Sequence, residues 1–288
     1  MKSKLAYLAL LAICSVAAAS GQVPPGSNRS DLIRAARSDD PIARMRAFEA
    51  LKAQPGGVGD PELVVELLER ENELVESTWV ESNGTSGIVD SYGEGFAEYI
   101  GQLAGECSAH CDHHDPRVVR ALAGVFTGDS PGMVDLAVDH GAELLPMALE
   151  KAKSRWVEFQ EKGLLMLGGI GGASRGLSDR QAASVDSALI TCLSRSCEPI
   201  GGSAAAQAIA TMIRLNPGIS AERRLRMHDA IVAATANGDS MIRRAAVVAL
   251  RDFRNSNDVA LLNRISQEDP DASVRNEAHD VRLKLQIP

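Results

Sequence analysis

Aromatic side chains are scarce: two Trp, three Tyr and five Phe make up 3 % of 288 residues. Strands of sandwiches and barrels favour Tyr, Phe and Trp, so the shortage argues against both. It points instead to a core of Ala, Leu, Val and Ile in close-packed helices. Basic charge is short as well. There are 30 Lys and Arg against 38 Asp and Glu, a formal net charge of −8, which disfavours nucleic acid as a partner. Beyond residue 19 no apolar run approaches the ~20 residues that span a bilayer, so no transmembrane segment is expected. Apolar content is not lacking: 45 % of the chain is hydrophobic, which excludes wholesale disorder and allows a core without metals or disulfides.

The first residues read as an address. MKSK carries Lys2 and Lys4, LAYLALLAICSVAAA fills 5–19, and Ala17 and Ala19 frame a cleavage site. A basic start, an apolar centre and an A-x-A end make a secretory signal peptide over 1–19, cut near Ala19. A periplasmic or secreted chain is therefore expected. Leu11-Ala12-Ile13-Cys14 loosely resembles a bacterial lipobox, but Ile13 stands where Gly, Ala or Ser is usual, so a lipid anchor on Cys14 is the lesser reading. Loss of the leader leaves a net charge of −10 and four cysteines. Residues 20–30, SGQVPPGSNRS, read as a polar tether, and 31–288 as one helical domain.

Helical signals fill that domain. In DDPIARMRAFEAL, Asp40 is placed to cap, Pro41 suits the first turn, and Ile42, Met45 and Phe48 share a face. QPGG stops this helix. PELVVELLEREN then gathers Leu63, Val64, Leu67 and Leu68, with Glu62, Glu66 and Glu69 turned outward. GDSMIRRAAVVALRDF and DPDASVRNEAHDVRLKL repeat the first pattern: Asp239 before Ile242-Arg243, and Asp271 before Val274-Arg275. NDVALLNRISQ lies between them as a second helix. An Asp start, a small-residue helix, a turn and a second helix make a two-helix repeat.

These stretches resemble HEAT and HEAT-like repeats of the phycobilisome-lyase type, best at 39–51 and 238–285 and partly at 114–126, where the Arg falls one position late. The resemblance implies an all-α solenoid of helical hairpins whose neighbours stack because one hairpin cannot bury both of its apolar faces. It implies that Arg44, Arg243 and Arg275 form a structural ladder, each pairing with a capping aspartate of an adjacent repeat. Residues 73–113 and 153–237 are helical in pattern without the signature.

Candidate chemistry is sparse. In ECSAHCDHHD, Cys107, His110, Cys111 and His114 fall on one face if helical, and Cys with neutral His suits zinc or copper. One straight helix cannot surround an ion with all four. The favoured expectation is therefore a disulfide with surface histidines, and no metal or other cofactor. Cys192 and Cys197, near a helix end at Pro199, make a second candidate pair. Four cysteines allow three connectivities. Local pairing is the expectation, and it requires backbone that departs from regular helix. Gly172-Ala173-Ser174-Arg175-Gly176 fits the serine-nucleophile elbow pattern, but helical WVEFQEKGLLML precedes it where a strand is needed; the plain reading is a flexible inter-helix loop. Residues 58–115 hold fourteen acids and one Arg. They read first as a solvated face and second as a surface for a cationic partner or Ca²⁺. No convergent catalytic set is visible. The expected function is an exported, monomeric scaffold that binds an unknown protein or peptide without catalysis. A metal-binding or redox-sensing protein centred on 107–114 is the alternative.

Overall fold

The computed structural model describes residues 27–82, 92–93, 95–125, 132–173 and 177–286. The leader over 1–19, with Cys14, lies outside the described residues, as does Ser174. Among the described residues every regular element is helical and there is no strand. The chain divides into two compact units, 1–129 and 130–288.

The first unit holds α1 (Arg29–Ala36), α2 (Pro41–Lys52), α3 (Pro61–Ser82), α4 (Gly95–His110) and α5 (Pro116–Gly124). Helix α1 begins inside the stretch expected to be tether. The Asn28 side chain caps it by accepting from the Asp31 N–H. Arg29 then fastens it by donating to the carbonyls of Gly57 and Val58. Asp40 and Asp115 cap α2 and α5, each with Pro in the first turn. That proline costs nothing there, because the first N–H groups of a helix have no intrahelical acceptor. Helix α2 ends before Gly56 and Gly57, whose φ of 88° and 60° turn the chain away. The core joins Phe48, Leu51, Leu63, Leu67, Leu68, Phe96 and Leu103, all fully buried.

The second unit holds α6 (Met133–Asp139), α7 (Gly141–Lys151), α8 (Val157–Gly172), α9 (Asp179–Thr191), α10 (Pro199–Leu215), α11 (Ala221–Ala234), α12 (Ser240–Phe253), α13 (Asp258–Glu268) and α14 (Ala272–Gln286). Helices α8, α10, α12 and α14 pack in sequence as a row. Helices α7, α11 and α13 each precede and pack against a member of that row. This is stacking of helical hairpins, as expected. Between α9 and α10 the turns widen into a π-helical segment, Cys192–Ser196.

Residues 167–172 are not a loop. They form the C-terminal half of α8 and are fully enclosed. A Cβ built on Gly168 would lie 2.7 Å from the backbone of Ala208 in α10. One on Gly169 would lie 2.9 Å from the Val134 carbonyl in α6, and one on Gly171 2.6 Å from Met212 Sδ. The glycines serve close approach of three helices rather than flexibility.

Candidate functional site

The repeated arginines share one geometry. Each sits four residues after its capping aspartate, and its Nη1 reaches back into the loop before the helix. Arg44 donates to the carbonyls of Ser38 and Asp39 at 2.9 and 3.0 Å. Arg243 donates to Asn237 and Gly238 at 3.0 and 3.1 Å, and Arg275 to Asp269 and Pro270 at 2.6 and 3.1 Å. The three positions repeat a local geometry, and where a carboxylate partner is present it is not a capping aspartate. The capping aspartates are engaged by backbone N–H groups of their own helices. Arg44 instead forms a two-pronged pair with Glu71 of α3 at 2.6 and 2.7 Å, and Arg243 one with Asp269 at 2.9 Å for both bonds. The reason is placement: a capping carboxylate must face the first turn of its own helix, so it cannot also face the neighbour's guanidinium.

Glu71 is wholly buried, and Tyr99 of α4 donates to it at 3.1 Å. Burial and the adjacent carboxylate hold the Tyr99 phenol protonated well above its usual range. Three more acids of α3 are engaged. Glu62 and Glu69 take Arg117 of α5, and Glu66 takes Arg37. Four of the fourteen acids expected to face solvent over 58–115 are thus paired with arginines. Asp90 and Glu94 lie outside the described residues.

The Cys/His segment does not converge. His110 closes α4, exposed and 3.7 Å from Glu106, and His114 is exposed in the following turn. Cys107 is buried and Cys111 half-buried. Both are free thiols, the Cys111 thiol donating to the Pro61 carbonyl at 3.7 Å, and burial raises the pKa of each. That opposes the thiolate needed for metal binding. Among the described residues no group of three or more His, Cys, Asp or Glu side chains is placed to hold a metal ion. The expectation of a Cys107–Cys111 disulfide is corrected: the helix stays regular across the pair, with the Cys111 N–H on the Cys107 carbonyl at 2.9 Å. Regular i, i+4 geometry does not bring two sulfurs into bonding position. Cys192 and Cys197 are bonded, with their Cα atoms 5.0 Å apart, across the π-helical segment. There the backbone supplies the departure from regular helix that the pairing requires.

That bridge forms a wall common to two clefts. One, of about 640 Å³, is framed by Ile190, Leu193, Pro199, Ala234 and Ile242, with Asp239 at its polar end. The other, of about 720 Å³, opens among α7, α8 and α9, lined by Lys153, Gln160, Arg180, Ser184, Ser187 and Thr191. Sequence reasoning missed this cleft, because Lys153 and Arg180 belong to segments outside the repeat signature and fall in no motif. It also missed two pairs between successive first helices of the hairpins. Arg223 of α11 grips Asp186 of α9 at 2.8 and 2.9 Å, and His228 of α11 meets both oxygens of Asp258 of α13 at 3.0 and 2.9 Å. An acid amid the apolar run around Val185 and Leu189 was the available signal for the first.

No family model matches the chain, and no curated protein matches it. Among solved structures, an engineered protein from a structural genomics consortium shares 16 % identity over 91 % of this chain and all of its own, with a TM-score of 0.40. At that level the likeness carries no argument about fold or function.

Proposed function

We propose that the chain is an exported scaffold of HEAT-like hairpins that binds a protein or peptide partner and performs no catalytic step of its own. One observation carries this reading: the row of α8, α10, α12 and α14, each preceded by a short flanking segment, offers a long surface with repeated geometry. Such surfaces suit extended partners, because each repeat contacts only its neighbours and leaves its remaining face free. The likeness of the loop-reaching arginines at Arg44, Arg243 and Arg275 supports the HEAT-like reading on geometry as well as on spacing. The buried charges support a structural role, since Glu71, Asp186, Asp258 and Asp269 are each held by a basic partner from another helix or loop. Among the described residues no helix is long and apolar enough to cross a membrane.

Export is tested by intact mass of the chain recovered from its host envelope. The expected mass lacks residues 1–19; retention of those residues, or a diacylglyceryl adduct on Cys14, overturns it. Binding is tested by affinity capture from envelope extract followed by reconstitution with the purified candidate in a calorimeter. A complex of defined stoichiometry supports the reading. Failure of every captured candidate to reconstitute removes it.

A further inference from the structure

We propose that the two clefts flanking the Cys192–Cys197 bridge form one binding site for an acidic peptide segment that also carries an apolar side chain. This rests on the peptide-binding reading above and gives it a place and a chemistry. Both cysteines line both clefts, so the two cavities adjoin across the bridge. At about 640 and 720 Å³ each falls in the range of cavities that hold a small ligand or a few residues of peptide. A folded domain does not fit either.

The larger cleft is cationic. Lys153 and Arg180 are exposed on it. Among the described residues neither forms an ion pair, whereas Arg223 and Arg243 of the same unit are each committed to a carboxylate. None of the described residues lining this cleft is acidic. Ser184 and Ser187 stand on the same face of α9 as Arg180, and their short side chains leave room for a peptide backbone to approach. The Ser187 hydroxyl has no partner among the described residues, so it is available to donate or accept.

The smaller cleft is mostly apolar, walled by Ile190, Leu193, Pro199 and Ile242, with Ser194 and Asn237 its polar edges along with Asp239. Its one acidic lining residue, Asp239, stands at the Asn237–Gly238 end. A peptide is therefore oriented: its carboxylates lie over Lys153 and Arg180, its apolar side chain enters beside the bridge, and further carboxylates are repelled from the Asp239 end. Nucleic acid shares the negative charge but carries no aliphatic side chain to enter the smaller cleft. Because the bridge fixes the wall shared by both clefts, the oxidised chain presents the site and the reduced chain loosens it.

The test is fluorescence anisotropy on the purified full chain. The probes are a fluorescein-labelled peptide of alternating glutamate and leucine and its counterpart with lysine for glutamate. The expected result is saturable binding of the glutamate peptide, weakened by salt and by dithiothreitol, and none of the lysine peptide. The double variant Lys153→Glu with Arg180→Glu should bind about tenfold more weakly. Arg264→Glu, an exposed change on α13 away from the clefts, should leave binding unchanged. Far-UV circular dichroism checks that each variant keeps its helicity. Equal binding of the lysine peptide overturns the proposal, as does equal competition by a single-stranded oligonucleotide. If the double reversal leaves the glutamate peptide unaffected, the site is elsewhere and only the peptide-binding reading stands. If the glutamate peptide fails to bind while a captured partner still reconstitutes, this proposal falls alone; if both fail, both fall.

Discussion

Gly168→Ala separates two opposite readings of the glycine-rich stretch in α8. Ala is the better helix former by about 1 kcal/mol, so in an open helix interior the change stabilises. At Gly168 the new methyl would lie 2.7 Å from both Cα and the carbonyl oxygen of Ala208, and 3.0 Å from its Cβ. The obstruction is backbone in the middle of α10, so no side chain can swing aside. The two helices must separate, and overpacking of this kind costs ~1–3 kcal/mol, occasionally more. The cost offsets or exceeds the propensity gain, and a net loss of up to about 2 kcal/mol is expected. For a unit of this size that lowers the melting midpoint by up to roughly 8 °C. Gly105→Ala in α4 is the control, because nothing lies within 4 Å of its would-be Cβ; it should gain up to about 1 kcal/mol. Gly201→Ala is an intermediate case, because its nearest obstruction is Gln160 Oε1, the end of a flexible side chain. Urea and thermal denaturation followed by circular dichroism give all three. If Gly168→Ala stabilises the chain as Gly105→Ala does, α8 and α10 do not approach as described and the flexible-loop reading returns.

Glu71→Ala leaves the Arg44 guanidinium buried without its carboxylate and should cost ~3–5 kcal/mol, whereas Arg44→Met with Glu71→Leu should cost far less than either single change; equal losses in chemical denaturation for single and double variants would refute the buried pair. Tyr99→Phe should cost less than Glu71→Ala in the same assay, because it removes one hydrogen bond to Glu71 and leaves the ion pair intact. Acid should loosen α12–α14. Arg243 holds the Asp269 carboxyl below its usual range, and the Ser273 hydroxyl and N–H hold Asp271 at about 2. Unfolded aspartate titrates near ~3.9, so this stabilisation is present above about pH 4 and is lost as pH falls toward 2. Amide exchange at pH 2.5 and 5 reads it, and Asp269→Asn should flatten the difference. Reduction of Cys192–Cys197 opens a loop of only five residues' separation and should cost less than the ~3 kcal/mol of a 15-residue loop; collapse of the whole second unit on adding dithiothreitol would contradict this.

The helical class, the starts of α2, α12 and α14, and the buried face of α3 were legible in the chain alone. They depend on local rules: an Asp or Asn that satisfies the first N–H groups, a Pro tolerated there, and an apolar period near that of the helix. The arginines were legible as a repeated position, but their hold on carbonyls five and six residues back was not, because the sequence pattern suggested a carboxylate partner instead. Nor was what lies far along the chain. The partners of Arg44 and Arg243 stand 27 and 26 residues away, and Glu71 looked like its neighbours on an acidic helix. The glycines of α8 read as a hinge because sequence shows a missing side chain but not the helix that fills its place. Cys107–Cys111 and Cys192–Cys197 are similar in spacing, yet only the second is bonded. Whether a helix stays regular or widens by one residue per turn depends on what packs against it, and that is a property of the folded neighbours rather than of the three or four residues between two cysteines.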